Sequence, residues 1–528
     1  MKEKSWLWIL GLAAIFLCSF NLGALPLRDW DEGIVATVAR EISRADLQNL
    51  VWLFPINPDG SPYWNKPPLV HDLIALSYSI FGVSEWSSRI VPSLMAAAGV
   101  PLVYLIGKEI FTRQRPALLS AVVYLTLIPV VRHQRLAMLD GAITTEFCFG
   151  VWCWLRLRHK QNLQLLSFLL GLGFSLLSLT KGIAIAILLY GILGLFVIAN
   201  NQISNSIGSL NVVSFLLGLV PGFAWYGLQY LRYGQDFISY NLGTQTFKRA
   251  IEIVENNSQP IWYYLLELLK YSLPWLIFLP GGIASAFGER KSTWAKLSLI
   301  WFGVYLLVIS VMTTKLPWYI MPIYPAVSLL VGVELERVIL EQKSQATRES
   351  SPRKVNRVYL VSLLFCGIVF CLATVYLLFI QPRDYGLIAI ASILSFTFIM
   401  AGVLFRRSSK YFIVVLVVGL YSALLSLFTT PHAIWELAES YPVKPVAQLV
   451  KNNTPTGAIV YTNYPLNRPS LNFYSGRLVI PWESQNPTSL DTINKPLYLL
   501  QNEELPLIKE GLTIAQMNQW QLTKIIAE

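Results

Sequence analysis

Apolar residues fall in blocks of about 17 to 23 along most of this chain, each long enough to cross a hydrocarbon core of about 30 Å as a helix. Polar residues are confined to short joints between the blocks. The pattern predicts a first span from Trp6 to Leu25, then spans near 68–82 or 88–107 (one a full crossing, the other lying at the surface or crossing in part), 117–131, 139–155, 162–179, 182–199, 209–230, 261–285, 297–313, 318–335, 358–380, 387–404 and 411–430. Counting 68–107 once gives about 13 crossings. The first block follows Lys2-Glu3-Lys4 as a signal peptide would, but no small-residue cleavage pattern precedes Arg28, so it is read as an uncleaved span.

Two stretches break the rhythm. Arg28 to His71 carries two neighbouring carboxylates in Asp29-Trp30-Asp31-Glu32-Gly33, a helix-like segment from Ile34 to Ala45, a Pro/Gly-rich turn region, and Lys66 ahead of Pro67-Pro68. From Pro431 the composition changes again. A helix-like segment (Val446 to Lys451) and β-rich runs at 458–462, 478–481, 497–501 and 521–526 predict a small α/β domain. The stretch from about 336 to 357 is polar and basic and reads as a linker. The prediction is a mainly α, polytopic membrane protein: a membrane domain over 1–430, with a catalytic loop at about 26–67, and an α/β domain over 431–528.

Composition agrees. Of 528 residues 54% are hydrophobic and 13% charged, about half the charge of a soluble protein of this length. The 17 Trp and 25 Tyr suit interfacial anchoring. The net charge of +11 invites a nucleic-acid partner, but the cations cluster in the short loops of one side: Lys108/Arg113/Arg115, Arg156/Arg158/Lys160, Arg290/Lys291/Lys296, Arg337 to Arg357 and Arg406/Arg407/Lys410. Topology and anionic lipid explain that bias without nucleic acid. The bias predicts a cytoplasmic N-terminus, and an odd number of crossings then places the first loop and the C-terminal domain together on the external side. All five cysteines lie in or beside apolar spans, where they read as small core residues.

The chemistry is sought among charges that depart from these rules. Asp31 and Glu32 are either a hydrated acidic pair or a general base at the interface, where partial burial tunes a carboxylate. Asp140 stands at the external start of a span; it either caps that helix or serves a cavity. Arg132, Arg135, Lys181 and Lys315 are external cations that break the charge bias and suggest an anion there, with His133 a surface histidine. Lys66, restrained by two prolines, suits a phosphate; snorkelling is the plainer alternative. No P-loop, dinucleotide fingerprint, nucleophile elbow or zinc motif is present. An external enzyme has no nucleotide sugar at hand, so an activated substrate would arrive on a lipid phosphate.

The residues also resemble a known family. Asp31-Glu32-Gly33, Ala39-Arg40-Glu41-Ile42, Gly60 to Leu69 and Phe81 to Ser93 resemble the opening of the polytopic GT-C glycosyltransferases. They are most similar to the bacterial aminoarabinose (lipid A) transferases of the protein O-mannosyltransferase superfamily. The likeness continues through Arg135 to Asp140, Thr180-Lys181-Gly182, Lys315 to Pro322 and Ser470 to Arg477. It implies transfer of a sugar from a polyprenyl-phosphate donor to a lipid, glycan or protein acceptor on the external face of the plasma (inner) membrane. It implies Asp31 as the catalytic carboxylate, Lys66 at the donor phosphate, Asp140 as a second aspartate near the site, and Glu32 and Arg135 as further site residues. Two departures bear on a metal: the family's Glu before the lysine is Asn65 here, and its histidine-containing segment reads Thr244-Gln245-Thr246-Phe247-Lys248-Arg249. The resemblance therefore implies that the family-type Glu/His metal ligands are absent, and leaves a divalent metal held by other groups open.

The expectation is an inverting integral-membrane glycosyltransferase, with Asp31, Glu32 and Asp140 catalytic and Lys66, Arg135, Lys181, Lys315 and Arg132 binding substrate. A transporter or lipid flippase would need ionisable groups near the bilayer midplane and repeat-related broken helices. A non-catalytic membrane scaffold would have no use for both Asp31 and Lys66.

Overall fold

The computed structural model describes residues 3–200, 210–252, 258–345, 354–434, 442–482, 497–506, 508 and 511–525. The chain divides into two compact units. The first holds Met1–Asn21, Trp64–Leu69 and Pro92–Ala433; the second is assembled from Leu22–Tyr63, Val70–Val91 and Ile434–Glu528.

The first unit is helical. Six helices among the described residues are long and apolar enough to cross a membrane, or up to seven if the bent pair Gln114–Thr126 and Ile128–Gln134 counts as one. The six are Glu85–Ile110, Leu163–Thr180, Val212–Gln245, Thr293–Val311, Arg357–Phe379 and Tyr385–Arg406. Other predicted blocks fall on shorter apolar helices, among them Ile183–Ala199 and Tyr411–Leu427. Small residues set one close helix contact. A Cβ on Gly171 would lie 2.1 Å from the Phe215 carbonyl oxygen, and one on Gly218 would lie 2.2 Å from that of Phe168. The helices Leu163–Thr180 and Val212–Ile238 therefore touch backbone to backbone, as small residues permit between membrane helices.

Two expectations are corrected here. The block 261–285 is not one helix but three pieces, Tyr263–Tyr271, Trp275–Ile277 and Leu279–Gly288. Pro274 and Pro280 lie at the breaks, where a missing N–H and ring crowding oppose a continuous ladder. The polar stretch from 336 is not a loop at its start, because the helix Tyr324–Gln345 runs through it. Its charges are used along the helix: Arg337 pairs with Glu341 at 3.2 Å one turn on, and Glu336 with Arg115 at 3.2 Å. Residues 346–353 of the expected linker lie outside the described residues.

The second unit contains a five-stranded sheet built from β1 (Ile459–Thr462), β2 (Leu478–Pro481), β3 (Leu497–Asn502), β4 (Leu512–Met517) and β5 (Trp520–Ile525). The order is β2-β1-β3-β5-β4; β1 is parallel to β2 and β3, while β5 is antiparallel to β3 and β4. Val446 and Val450 of the helix Val443–Asn453 pack on Val460, Val479, Leu500 and Leu522, and Leu471 closes the same core. The helix Pro469–Ser475 connects β1 to β2 and lies against the helix Asp31–Arg44 from the far end of the chain. Gly33 makes that approach possible, since a Cβ there would stand 2.6 Å from the Ser470 backbone nitrogen.

Candidate active site

In the second unit, the helix Asp31–Arg44 starts at Asp31 itself, three residues earlier than the apolar pattern predicts. Both acidic residues therefore occupy the first turn, where the helix dipole favours negative charge. Their environments differ. Glu32 is fully buried, and Arg89 grips it in a fork, Nε to Oε1 at 2.7 Å and Nη2 to Oε2 at 2.8 Å. The Arg28 backbone nitrogen adds a 2.8 Å bond to Oε2. Arg89 also donates to the Leu22, Leu25 and Pro26 carbonyls, tying the preceding strand of chain to this ion pair. The Asp31 side chain keeps 34% exposure and accepts from Arg28 Nη2 at 2.6 Å. Of the two neighbouring carboxylates, Asp31 is the more exposed one.

The first unit gathers a second set. Asp140 is the first residue of the helix Asp140–Leu157 and makes no side-chain cap to that helix. Instead its Oδ1 accepts from Lys181 Nζ, and both side chains are largely enclosed. The adjoining Thr180 donates to Glu146 Oε1 at 2.8 Å, so the end of the helix Leu163–Thr180 is fastened to the Asp140 helix at two levels. Lys181 Nζ lies 5.3 Å from the centre of the Tyr319 ring. Tyr319 is held by Tyr305, whose hydroxyl donates to its carbonyl at 2.8 Å, and its own hydroxyl accepts from Arg249 Nη1 at 3.4 Å. Arg249 was not among the residues singled out by sequence; the signal available was its place in the departed segment 244–249. Lys315 is nearly enclosed and donates to the Met312 carbonyl, and burial pushes its ammonium below the ordinary lysine range.

Arg135 stands apart from this set. Its guanidinium donates to the Leu17, Cys18 and Phe20 carbonyls at the end of the helix Glu3–Ser19 and lies 3.7 Å from the centre of the Phe428 ring. Cationic capping of a helix C-terminus accounts for that geometry. Arg132 is buried, and His133 Nδ1 bonds the Pro129 carbonyl at 3.1 Å within its own helix, so this histidine is buried rather than at the surface.

The segment carrying Lys66 is anchored within the first unit by side chains of the π-helical stretch Ser239–Lys248. Tyr240 Oη donates to Asn65 Oδ1 at 2.7 Å, and Asn241 Nδ2 to the Trp64 carbonyl at 2.8 Å. Arg249 follows directly on that stretch. Asn65 thus offers a neutral amide oxygen already engaged by a tyrosine, and 244–249 offers no histidine. Among the described residues no three His, Cys, Asp or Glu side chains gather as a metal site. These residues do not fit the carboxylate–histidine metal site of the aminoarabinose branch.

Residues 65–225 match the family model described as dolichyl-phosphate-mannose-protein mannosyltransferase. The structure of ArnT from Cupriavidus metallidurans bound to undecaprenyl phosphate superposes with a TM-score of 0.76 at 17% identity, over 99% of this chain and 98% of that one. The chain has the GT-C fold of the aminoarabinose-transferase type. The archaeal oligosaccharyltransferase AglB from Archaeoglobus fulgidus shares the GT-C fold more distantly, with a TM-score of 0.52 at 12% identity, over 95% of this chain and 69% of that one. The undecaprenyl phosphate-alpha-4-amino-4-deoxy-L-arabinose arabinosyl transferase of Erwinia tasmaniensis is 30% identical over 330 residues, 61% of this chain. The match spans 58% of that relative's length. An uncharacterized protein of Aquifex aeolicus is 25% identical over 379 residues, covering 71% of this chain and 69% of its own.

Proposed function

We propose that this GT-C chain is an inverting glycosyltransferase that moves a sugar from a polyprenyl-phosphate donor to a hydroxyl of a lipid, glycan or protein acceptor on the external face of the membrane. The observation that supports it most is the contrast within one acidic pair: Glu32 is fully buried in its ion pair with Arg89, while Asp31, paired with Arg28, keeps a third of its side chain exposed. Asp31 accepts the acceptor's proton as the acceptor oxygen attacks the anomeric carbon, and the bond from that carbon to the phosphate oxygen breaks. The electron pair leaves with the polyprenyl phosphate. Lys66, Lys315 and Arg249 are the cations assigned to that growing charge. Lys181, engaged with Asp140, orients the second aspartate. Glu32 and Arg135 act by positioning rather than by touching substrate.

An external C-terminal domain, a cytoplasmic N-terminus and the full set of about 13 crossings belong to the same proposal, supported by the Lys/Arg bias between loops. The undecaprenyl-phosphate chemistry named for the Erwinia tasmaniensis relative makes undecaprenyl-phosphate sugars the first donors to offer. The test is transfer in proteoliposomes from a panel of such labelled donors, wild type against Asp31→Asn. Consumption of one donor by wild type, reduced about 100-fold or more in the variant, supports the reading. A folded Asp31→Asn protein that transfers at the wild-type rate overturns it.

A further inference from the structure

We propose that Arg468 is a positioning residue for Asp31: acting through Asp29, it holds the turn Asp29-Trp30-Asp31 in a conformation this sequence would not keep unaided. The inference rests on the assignment of Asp31 above. All the residues involved belong to the second unit.

The helix that presents Asp31 is entered through a strained residue. Trp30 has φ 59° and ψ −79°, and the Asp31 nitrogen donates to the Asp29 carbonyl at 3.0 Å. That is a three-residue γ-turn of the positive-φ kind, which is rare and strained, and a tryptophan is poorly suited to it. Helical bonding begins at once on the far side, with Ile34 N to the Trp30 carbonyl at 2.7 Å. A sparsely populated backbone conformation persists only where its surroundings over-determine it. Arg28 bridges the turn locally, through Asp31 and the Gly33 nitrogen, and a short piece of the C-terminal region holds it from outside. Asp29 Oδ2 accepts from Arg468 Nη1 at 3.0 Å, and Asp29 Oδ1 accepts from the Ser470 nitrogen at 3.1 Å and its hydroxyl at 2.7 Å. The Trp30 indole donates to the Asn467 carbonyl at 3.0 Å, and the Arg468 guanidinium lies 5.6 Å from the centre of the Trp30 ring.

Arg468 is itself fixed. It is buried, its guanidinium lies 4.3 Å from the centre of the Tyr464 ring, and it stands as the N-cap residue of the helix Pro469–Ser475. The turn is thus clamped at Asp29 and at Trp30 itself, and the clamp ends one residue before Asp31. If Trp30 relaxes to negative φ, the Asp31 carboxylate swings away from Arg28, and an error of about 1 Å in a reacting group is worth about a hundredfold in rate.

The experiment compares wild type, Arg468→Gln, Arg468→Lys, Trp30→Gly and the double variant Trp30→Gly/Arg468→Gln in detergent-solubilised full-length protein. It reads donor kinetics and amide hydrogen exchange of the peptide spanning 28–34. Arg468→Gln is expected to lower kcat about tenfold or more with donor KM within about twofold, and to speed exchange at Asp31. Arg468→Lys keeps the charge and recovers part of both. Glycine takes positive φ at no steric cost, so Trp30→Gly in the Arg468→Gln background is expected to restore most of the kcat and the protection. Wild-type exchange in Arg468→Gln overturns the proposal, and so does a loss of kcat that Trp30→Gly leaves unrelieved. Asp31→Asn run alongside separates the two readings: full transfer there removes the assignment of Asp31, while the exchange data still report whether Arg468 holds the turn.

Discussion

Replacing Glu32 by glutamine tests whether this carboxylate positions or reacts. The side chain is fully buried, and both its oxygens are taken up by the Arg89 fork and the Arg28 nitrogen. Glutamine keeps the shape but turns one acceptor into a donor that must face another N–H, and it leaves the Arg89 guanidinium without its counter-charge. Removing one partner of a buried pair costs about 3–5 kcal/mol. Three backbone carbonyls remain on Arg89 to take up part of its charge, so the lower end, about 3 kcal/mol, is expected here. The assay is urea-dependent proteolysis of the second unit in detergent, followed by cleavage within 22–32. A cycle with Arg89→Met isolates the pair, and a coupling of about 2 kcal/mol or more is expected. Donor kcat per folded molecule, measured below the transition, should remain within about threefold of wild type. The reasoning is refuted if Glu32→Gln melts like wild type yet loses turnover, because that is the signature of a reacting group.

Gly33→Ala should destabilise the second unit by about 1–3 kcal/mol, because the new Cβ meets backbone at Ser470 and cannot be accommodated by a rotamer change; Gly11→Ala, with open space around its Cβ, is the control in the same thermal melt. Lys315, depressed by burial, loses its charge at lower pH than an ordinary lysine, so donor KM should rise on the alkaline side before pH reaches about 10. Lys315→Arg should flatten that limb, and an unchanged limb rejects the assignment. The hydrogen bond from His432 Nε2 to Asp384 Oδ2, at 2.6 Å, holds the Asp384 carboxyl below the usual carboxylate range, with the Leu387 amide adding to the effect. A depressed carboxylate stabilises the fold above its unfolded pKa and loses that contribution as pH falls through the depressed value. The melting difference between wild type and Asp384→Asn should therefore be present at neutral pH and shrink progressively below about pH 4.

The helical plan was legible because hydrophobic blocks and turn residues are local signals, and most predicted blocks correspond to helices with ends shifted by a few residues. The four β-rich runs of the C-terminal region are likewise all strands. β4 was missed because Leu512–Met517 pairs only with β5, at the edge of the sheet, and has no buried residue to mark it by an apolar face. The break at Pro274 does carry a local signal, a helix-breaking residue inside an apolar block. What could not be read was pairing at a distance. Lys181 meets Asp140 from 41 positions away, Arg89 meets Glu32 from 57, and Arg468 meets Asp29 from 439. A charge that departs from the loop bias signals that something holds it, but not whether that partner is a substrate or a helix end, and Arg135 at the carbonyls of Leu17, Cys18 and Phe20 illustrates the difference.

The second unit is stitched from both ends of the chain, with Asp29 near the start leaning on Arg468 and Ser470 near the finish. During synthesis the segment around Asp31 leaves the ribosome early, and membrane insertion of the later spans must proceed while its seat is still missing. On the roles proposed above for Asp31 and Arg468, a growing chain cannot act prematurely on a lipid-linked sugar, since the residues that hold the Asp29 turn are made only after β1. The same proposal makes that wiring a check on completeness: a message cut short before Arg468 would yield a protein that inserts but stays silent, and so spares the membrane's stock of activated donor.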